Sequence, residues 1–230
     1  MEDLSVAEAA NALEVDESRV RQMLRSGALS GRHVGRAWVV SGDALADLRQ
    51  RRSPAGRPLA PKRAWALLDL LDGAKAAWLD PVARSQVRAH LRRLTEADAA
   101  RWRAALRGRE ERHHVTGHRA ALSRLAETDG VWTAGPAVAS TIGADLVAPA
   151  ARAEFYVSSA TWPALGRRLH LSPAGGRAGV VVRVPLGLWP FGPDGPGRAA
   201  LAASLVDSGE WRAARAGAEV LNDLAARVEA

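Results

Sequence analysis

A chain of 230 residues that is 47% apolar and 25% charged can bury a core and has room for one small and one medium domain, which excludes a disordered or fibrous class. It has no cysteine, so disulfides, thiolate catalysis and cysteine-ligated zinc are excluded together. The net charge of +7 is uneven: residues 1–18 hold six acids and no base, 19–63 carry a net +9, 84–124 a net +7, and 125–230 a net −1, so a phosphate-seeking surface belongs to the first half.

Ser5 and Glu8 form a Ser-x-x-Glu capping box, and Val6, Ala9, Ala10 and Leu13 succeed them at helical spacing, which predicts a first helix with one apolar face. A second helix is predicted from Asp16 or Glu17 to Gly27. Val20, Met23 and Leu24 point inward, while Ser18, Arg21, Gln22 and Arg25 form a polar stripe outside. Arg and Gln can pair bidentately with guanine and adenine edges in a groove wide enough for a helix. Alone, such a stripe only keeps a helix solvated; a basic hairpin directly after it gives it meaning. Leu29 and Trp38 anchor two short predicted strands around a Gly31/Gly35 loop crowded by Arg32, His33 and Arg36, so the hairpin has a basic tip. Ser41 is placed to cap a third helix over residues 42–51.

Leu4-Ser5-Val6-Ala7-Glu8-Ala9-Ala10, Val15, Ser18-Arg19-Val20-Arg21-Gln22-Met23, Gly27-Ala28-Leu29 and Gly35-Arg36-Ala37-Trp38 together resemble the MerR-like and excisionase-type winged helix-turn-helix family. The resemblance covers residues 3 to about 50. It implies that the second helix enters the major groove of double-stranded DNA and that Arg32, His33 and Arg36 on the wing contact the backbone or minor groove. The expected DNA-binding residues are therefore Ser18, Arg19, Arg21, Gln22, Arg25, Arg32, His33 and Arg36.

Residues 53–63, rich in Pro and bases, read as a linker. From there the periodicity is helical. Ala64, Trp65, Leu67, Leu68 and Leu71 share a face, Asp80-Pro81 opens a helix bearing Val87, Leu91 and Leu94, and Thr95 is placed to cap another with Trp102 and Leu106. Beyond Gly108 short strand-like runs at 112–115, 131–133, 145–147, 155–157 and 179–184 alternate with helices at 117–127 and 162–169, and two helices, 198–206 and 211–228, close the chain. The expected fold class is α+β: a winged helix-turn-helix over 1–52, the linker, a helical segment over 64–108, and a mixed α/β domain over 109–230 for a partner or effector.

Gly143-Ala144-Asp145-Leu146-Val147-Ala148-Pro149, Glu154-Phe155-Tyr156-Val157, the Val180 to Phe191 stretch, and Leu205 to Gly209 with Arg212, Arg215, Ala216 and Gly217 resemble a C-terminal domain of actinobacterial helix-turn-helix regulators, similar in turn to type IV abortive-infection antitoxins. This implies an autoregulating antitoxin whose C-terminal part counters a toxin, a nucleotidyltransferase in those systems. Trp189 and Phe191, in a loop after a strand, are the aromatic candidates for the partner contact.

His113, His114 and His118 form a His-His-x3-His cluster, but no Glu lies between the last two to act as a metalloprotease base, and a packing role is expected. No phosphate-binding glycine loop, paired carboxylates or base-activated nucleophile occurs, so no catalytic residue, metal or cofactor is expected, and the chain is not expected to be an enzyme. No eighteen-residue apolar run exists and the N-terminus is acidic, which predicts a cytoplasmic protein with no membrane span. A single winged domain makes few base contacts, so a homodimer on two half-sites is expected. The alternative is an excisionase-like architectural factor that bends DNA for a recombinase.

Overall fold

The computed structural model describes residues 3–13, 15–25, 29, 31–35, 37–41, 58–146, 153–174, 180–208 and 210–229. The chain divides into two compact units, Met1–Ala55 and Gly56–Ala230.

The first unit begins with strand β1 (Asp3–Ser5), followed by helix α1 (Val6–Leu13). The capping box closes as expected: the Ser5 N–H donates to Glu8 Oε2 at 2.7 Å and the Glu8 N–H to Ser5 Oγ at 3.2 Å. Helix α2 (Glu17–Arg25) and strands β2 (Gly31–Val34) and β3 (Ala37–Ser41) come next. The three strands form an antiparallel sheet in the order β1-β3-β2. Val6, Ala9, Ala10, Leu13, Val20, Met23, Leu24, Leu29 and Val40 make one buried cluster, with Trp38 half-buried against it. The expected third helix, residues 42–51, lies outside the described residues.

In the second unit, helix α3 (Pro61–Leu71) starts with Pro61 in its first turn, where the missing N–H leaves nothing unpaired. The expected linker therefore stops at Ala60, and Lys62 and Arg63 are helical. Asp80 caps helix α4 (Pro81–Arg92), accepting the Ala83 N–H at 2.8 Å. Helix α5 (Ala99–Leu106) is capped by Asp98, which accepts from Arg101 at 2.8 Å, and not by Thr95, whose hydroxyl donates back to Arg92 O. Then come β4 (Glu110–Thr116), α6 (Arg119–Ala126), β5 (Trp132–Ala134), β6 (Glu154–Tyr156), α7 (Trp162–Arg168), β7 (Ser172–Pro173), β8 (Val180–Pro185), α8 (Arg198–Val206) and α9 (Trp211–Glu229). Asp145 and Leu146, expected to open a strand, are irregular, and Val147 lies outside the described residues.

The five strands order as β5-β6-β8-β4-β7, with β6 and β8 parallel and the other pairs antiparallel. Phe155, Val157, Val180, Val182 and Val184 pack on one face with Leu125 of α6 and Leu165 of α7. On the other face Tyr156 joins Trp65, Leu91, Trp102, Leu205 and Leu221 from the helices α3, α4, α5, α8 and α9. Both faces being covered, β8 is buried along its whole length, which is why it reads as a valine-rich run, interrupted by Arg183. Segments 64–108 and 109–230 thus share one core. The helical segment is no separate piece, because its apolar faces are completed only by α8 and α9.

A buried charge network ties this sheet to α8. Arg183 donates through Nε to Glu154 at 2.7 Å and through Nη2 to Ser204 O at 3.0 Å, and its Nη1 meets Glu110. Arg109 pairs with Asp207 at 2.7 Å and lies 5.6 Å from the centroid of the Trp65 ring. Burial alone would raise the Asp207 carboxyl, but the Arg109 and Arg183 guanidiniums beside it hold it below the ordinary carboxylate range.

Candidate nucleic-acid interface

Helix α2 is anchored by the burial of Val20, Met23 and Leu24, which turns the opposite side outward. Asp16 caps it: its carboxylate accepts the Arg19 N–H at 2.9 Å and the Ser18 hydroxyl, and these two donors hold it below its ordinary range, the hydroxyl first. Ser18 is exposed, but its hydroxyl serves this cap.

Ser18, Arg21 and Gln22 are exposed, as the periodicity predicts, and so is Arg19, which the resemblance added. They are not idle. Arg19 donates to Gln22 Oε1 at 2.6 Å, and Arg21 pairs with Glu17 at 2.5 Å, one turn back. Both pairs sit in solvent, where such contacts stabilise by about 0.2–1 kcal/mol, so exchanging them for base or phosphate contacts costs little. The side chains of Arg25 and His33, and the whole of Arg36, lie outside the described residues.

The hairpin is built as expected, with one correction. Val34 pairs with Ala37, and Gly35, which follows Val34, has φ +61°, the sign that tight hairpin turns demand. Gly31 belongs to β2 and not to the loop. A Cβ there would stand 2.6 Å from Leu24 Cδ2 and 2.6 Å from the Val39 carbonyl, so only hydrogen fits where the hairpin closes on α2. Arg32, next along β2, is exposed.

The second basic stretch is spent differently. Of its eleven bases, five bind the protein itself. Arg84 donates to Leu79 O, Arg101 to Arg93 O, Arg103 to Val206 O through two nitrogens, and Arg112 to Asp207 O, while Arg109 is locked in the buried network. Sequence counts charges but not their partners.

Trp189 and Phe191 are half-buried. Phe191 meets Trp65, Tyr156 and Trp189 edge-on at 5.5, 4.9 and 4.8 Å, so the loop is stapled to the core by aromatic packing. The tryptophans that stand exposed are Trp78 and Trp211. Asp145 and Leu146 line a cleft of about 370 Å³ with Trp211, Arg212, Arg215 and Ala216, joining two stretches far apart in sequence. His113 stacks beside Trp162 with ring centroids 5.3 Å apart, and His118 caps α6 by accepting the Ala120 N–H. Among the described residues no group of three or more His, Asp or Glu is placed to hold a metal ion, and no helix is long and apolar enough to cross a membrane.

Neither a curated protein nor a solved structure matches this chain. Residues 4–53 match the family described as Helix-turn-helix domain, which spans α1, the outward stripe of α2 and the hairpin. The chain therefore carries an N-terminal winged helix-turn-helix DNA-binding domain.

Proposed function

We propose that this chain is a sequence-specific transcriptional regulator that binds an inverted repeat as a homodimer, represses its own operon, and binds a protein partner through its C-terminal unit in the manner of an antitoxin. The observation that carries the reading is one surface arrangement in the first unit: the exposed Arg19, Arg21 and Gln22 on α2, beside a glycine-turned hairpin bearing Arg32. The helix supplies base contacts, and Arg25, Arg32, His33 and Arg36 supply further contacts to bases and phosphates. Two half-sites about 34 Å apart give the specificity that one domain lacks. The cleft shared by Asp145-Leu146 and Arg212-Arg215 supports the C-terminal resemblance, because stretches that resemble one family meet there. The half-exposed edges of Trp189 and Phe191 offer the partner contact.

The test is capture of fragmented self-genomic DNA by the full-length protein across a salt series, with sequencing of what is retained. The reading requires one inverted repeat upstream of its own gene. Tandem direct repeats would replace it with an architectural DNA-bending role, and salt-labile capture without a motif would remove sequence-specific regulation altogether.

A further inference from the structure

A second basic convergence lies within the second unit, far from any sequence motif. The end of α3, the middle of α4, the start of α8 and the end of α9 enclose an open cleft of about 560 Å³. Arg88, Arg198 and Arg227 line it, contributed by three different helices, and its walls include Leu71 and Leu224. Arg198 is steadied by donating Nε to Ile142 O at 2.9 Å. Arg88 and Arg227 are exposed, and among the described residues neither makes an ion pair or hydrogen bond, unlike Arg103, Arg109, Arg112 and Arg183 of the same unit. Asp72 is the acid in the cleft, and it is already engaged: its carboxylate accepts the Ala199 N–H at 2.8 Å and fills the N-terminus of α8. Three arginines and one committed carboxylate line the cleft, which leaves a concave site with a positive excess that favours an anion.

We propose that this cleft binds a small amphipathic anion, a carboxylate or phosphate monoester whose head is held by Arg88, Arg198 and Arg227 and whose apolar body lies against Leu71 and Leu224. The volume suits a small organic ligand. Leucine walls and the Asp72 carboxylate disfavour a nucleic-acid backbone, which needs a continuous cationic track. The inference is independent of the regulatory reading, since it concerns ligand binding to the second unit whatever the first unit recognises.

Titration calorimetry on the full-length protein tests it, with phenyl phosphate, benzoate, inorganic phosphate and benzyl alcohol as probes. Phenyl phosphate or benzoate is expected to bind one per chain, at least tenfold more tightly than inorganic phosphate, with no binding of benzyl alcohol; which of the two binds better identifies the head group. The double variant Arg88→Ala/Arg227→Ala touches no buried contact, should keep its far-UV spectrum, and is expected to weaken the better probe at least tenfold. Binding unchanged in that variant would overturn the proposal, as would absence of binding by both organic anions. Loss of duplex DNA affinity in the variant, with phenyl phosphate and benzoate binding intact, would reassign these arginines to DNA.

Discussion

Arg183 grips a single oxygen of Glu154 with two nitrogens, Nε at 2.7 Å and Nη2 at 2.5 Å, in an interior where both side chains are 5% exposed or less. Charges this deeply buried are costly unless each is paired, and the third nitrogen of Arg183 meets Glu110. The pair fixes the register between neighbouring parallel strands, since Glu154 lies on β6 and Arg183 on β8.

Removing one partner strands the other. Arg183→Met leaves Glu154 buried without its cation, and Glu110 with only its 3.5 Å contact to Arg109, and is expected to destabilise the second unit by about 3–5 kcal/mol. Glu154→Gln alone costs less, because the amide still accepts from Arg183. The combination Arg183→Met/Glu154→Leu should recover part of the Arg183→Met loss, a positive coupling that urea unfolding of wild type, Arg183→Met, Glu154→Leu and the double would measure. Strict additivity would show that the two side chains act independently.

Asp72 gives a pH dependence of defined sign. Burial, together with repulsion from Asp69, pushes its carboxyl up to about 6, against the opposing pull of the Ala199 N–H and Arg198. A folded-state value above the unfolded one means that the contribution is favourable below the unfolded carboxylate range and is lost as pH rises through about 6. Because solvent still reaches the carboxyl, the penalty above pH 6 is screened to about 1 kcal/mol. Asp72→Asn keeps an acceptor for Ala199 without the charge, so its stability relative to wild type should improve as pH rises from about 4 to about 7. A pH-independent difference in melting temperature would contradict this.

Arg32 and Gln22 should separate affinity from specificity. Arg32→Ala is expected to weaken cognate and scrambled duplexes alike and to reduce the salt slope by about 1, as for loss of one phosphate contact. Gln22→Ala should cost about 1–3 kcal/mol on the cognate site and little on the scrambled one. Anisotropy titrations at several salt concentrations distinguish the two, and identical profiles for both variants would remove the division of labour between helix and wing.

What could be read from the sequence was local. The Ser5/Glu8 box and the Asp80 cap each bridge positions three residues apart, and the buried faces of α1 and α2 come from helical period alone. The misses are non-local or too short for a period. Strand β1 has three residues and finds its partner at Val39 to Ser41 across two helices. The strand expected from residue 112 in fact starts at Glu110, whose carboxylate meets Arg183, 73 residues away, and carboxylates are poor strand formers. Trp189 and Phe191 come after a strand and so read as an open loop, but Trp65 of a distant helix covers Phe191. For the nucleic-acid face, helical period placed Arg21 and Gln22 on the surface, and the family resemblance added Arg19. Neither could show that Arg19 and Gln22 bind each other, or that Ser18 turns its hydroxyl to Asp16.

The Glu17–Arg21 pair bears most directly on recognition. Arg21 is the residue one turn after an acid at the helix start, and its guanidinium is held at 2.5 Å from that acid with both side chains 46% exposed. DNA must compete with Glu17 for Arg21, and Glu17 itself repels phosphate. Glu17→Ala removes both obstacles and is expected to tighten cognate DNA by up to about fivefold, the upper end of an exposed ion pair of about 0.2–1 kcal/mol. If the gain acts through Arg21, it shrinks in an Arg21→Ala background, whereas general relief of repulsion would persist there and weaken as salt rises. A gain of equal size in both backgrounds at every salt concentration would show that Glu17 does not restrain Arg21, and an affinity lowered by Glu17→Ala would mean that the ion pair orients the guanidinium for its base.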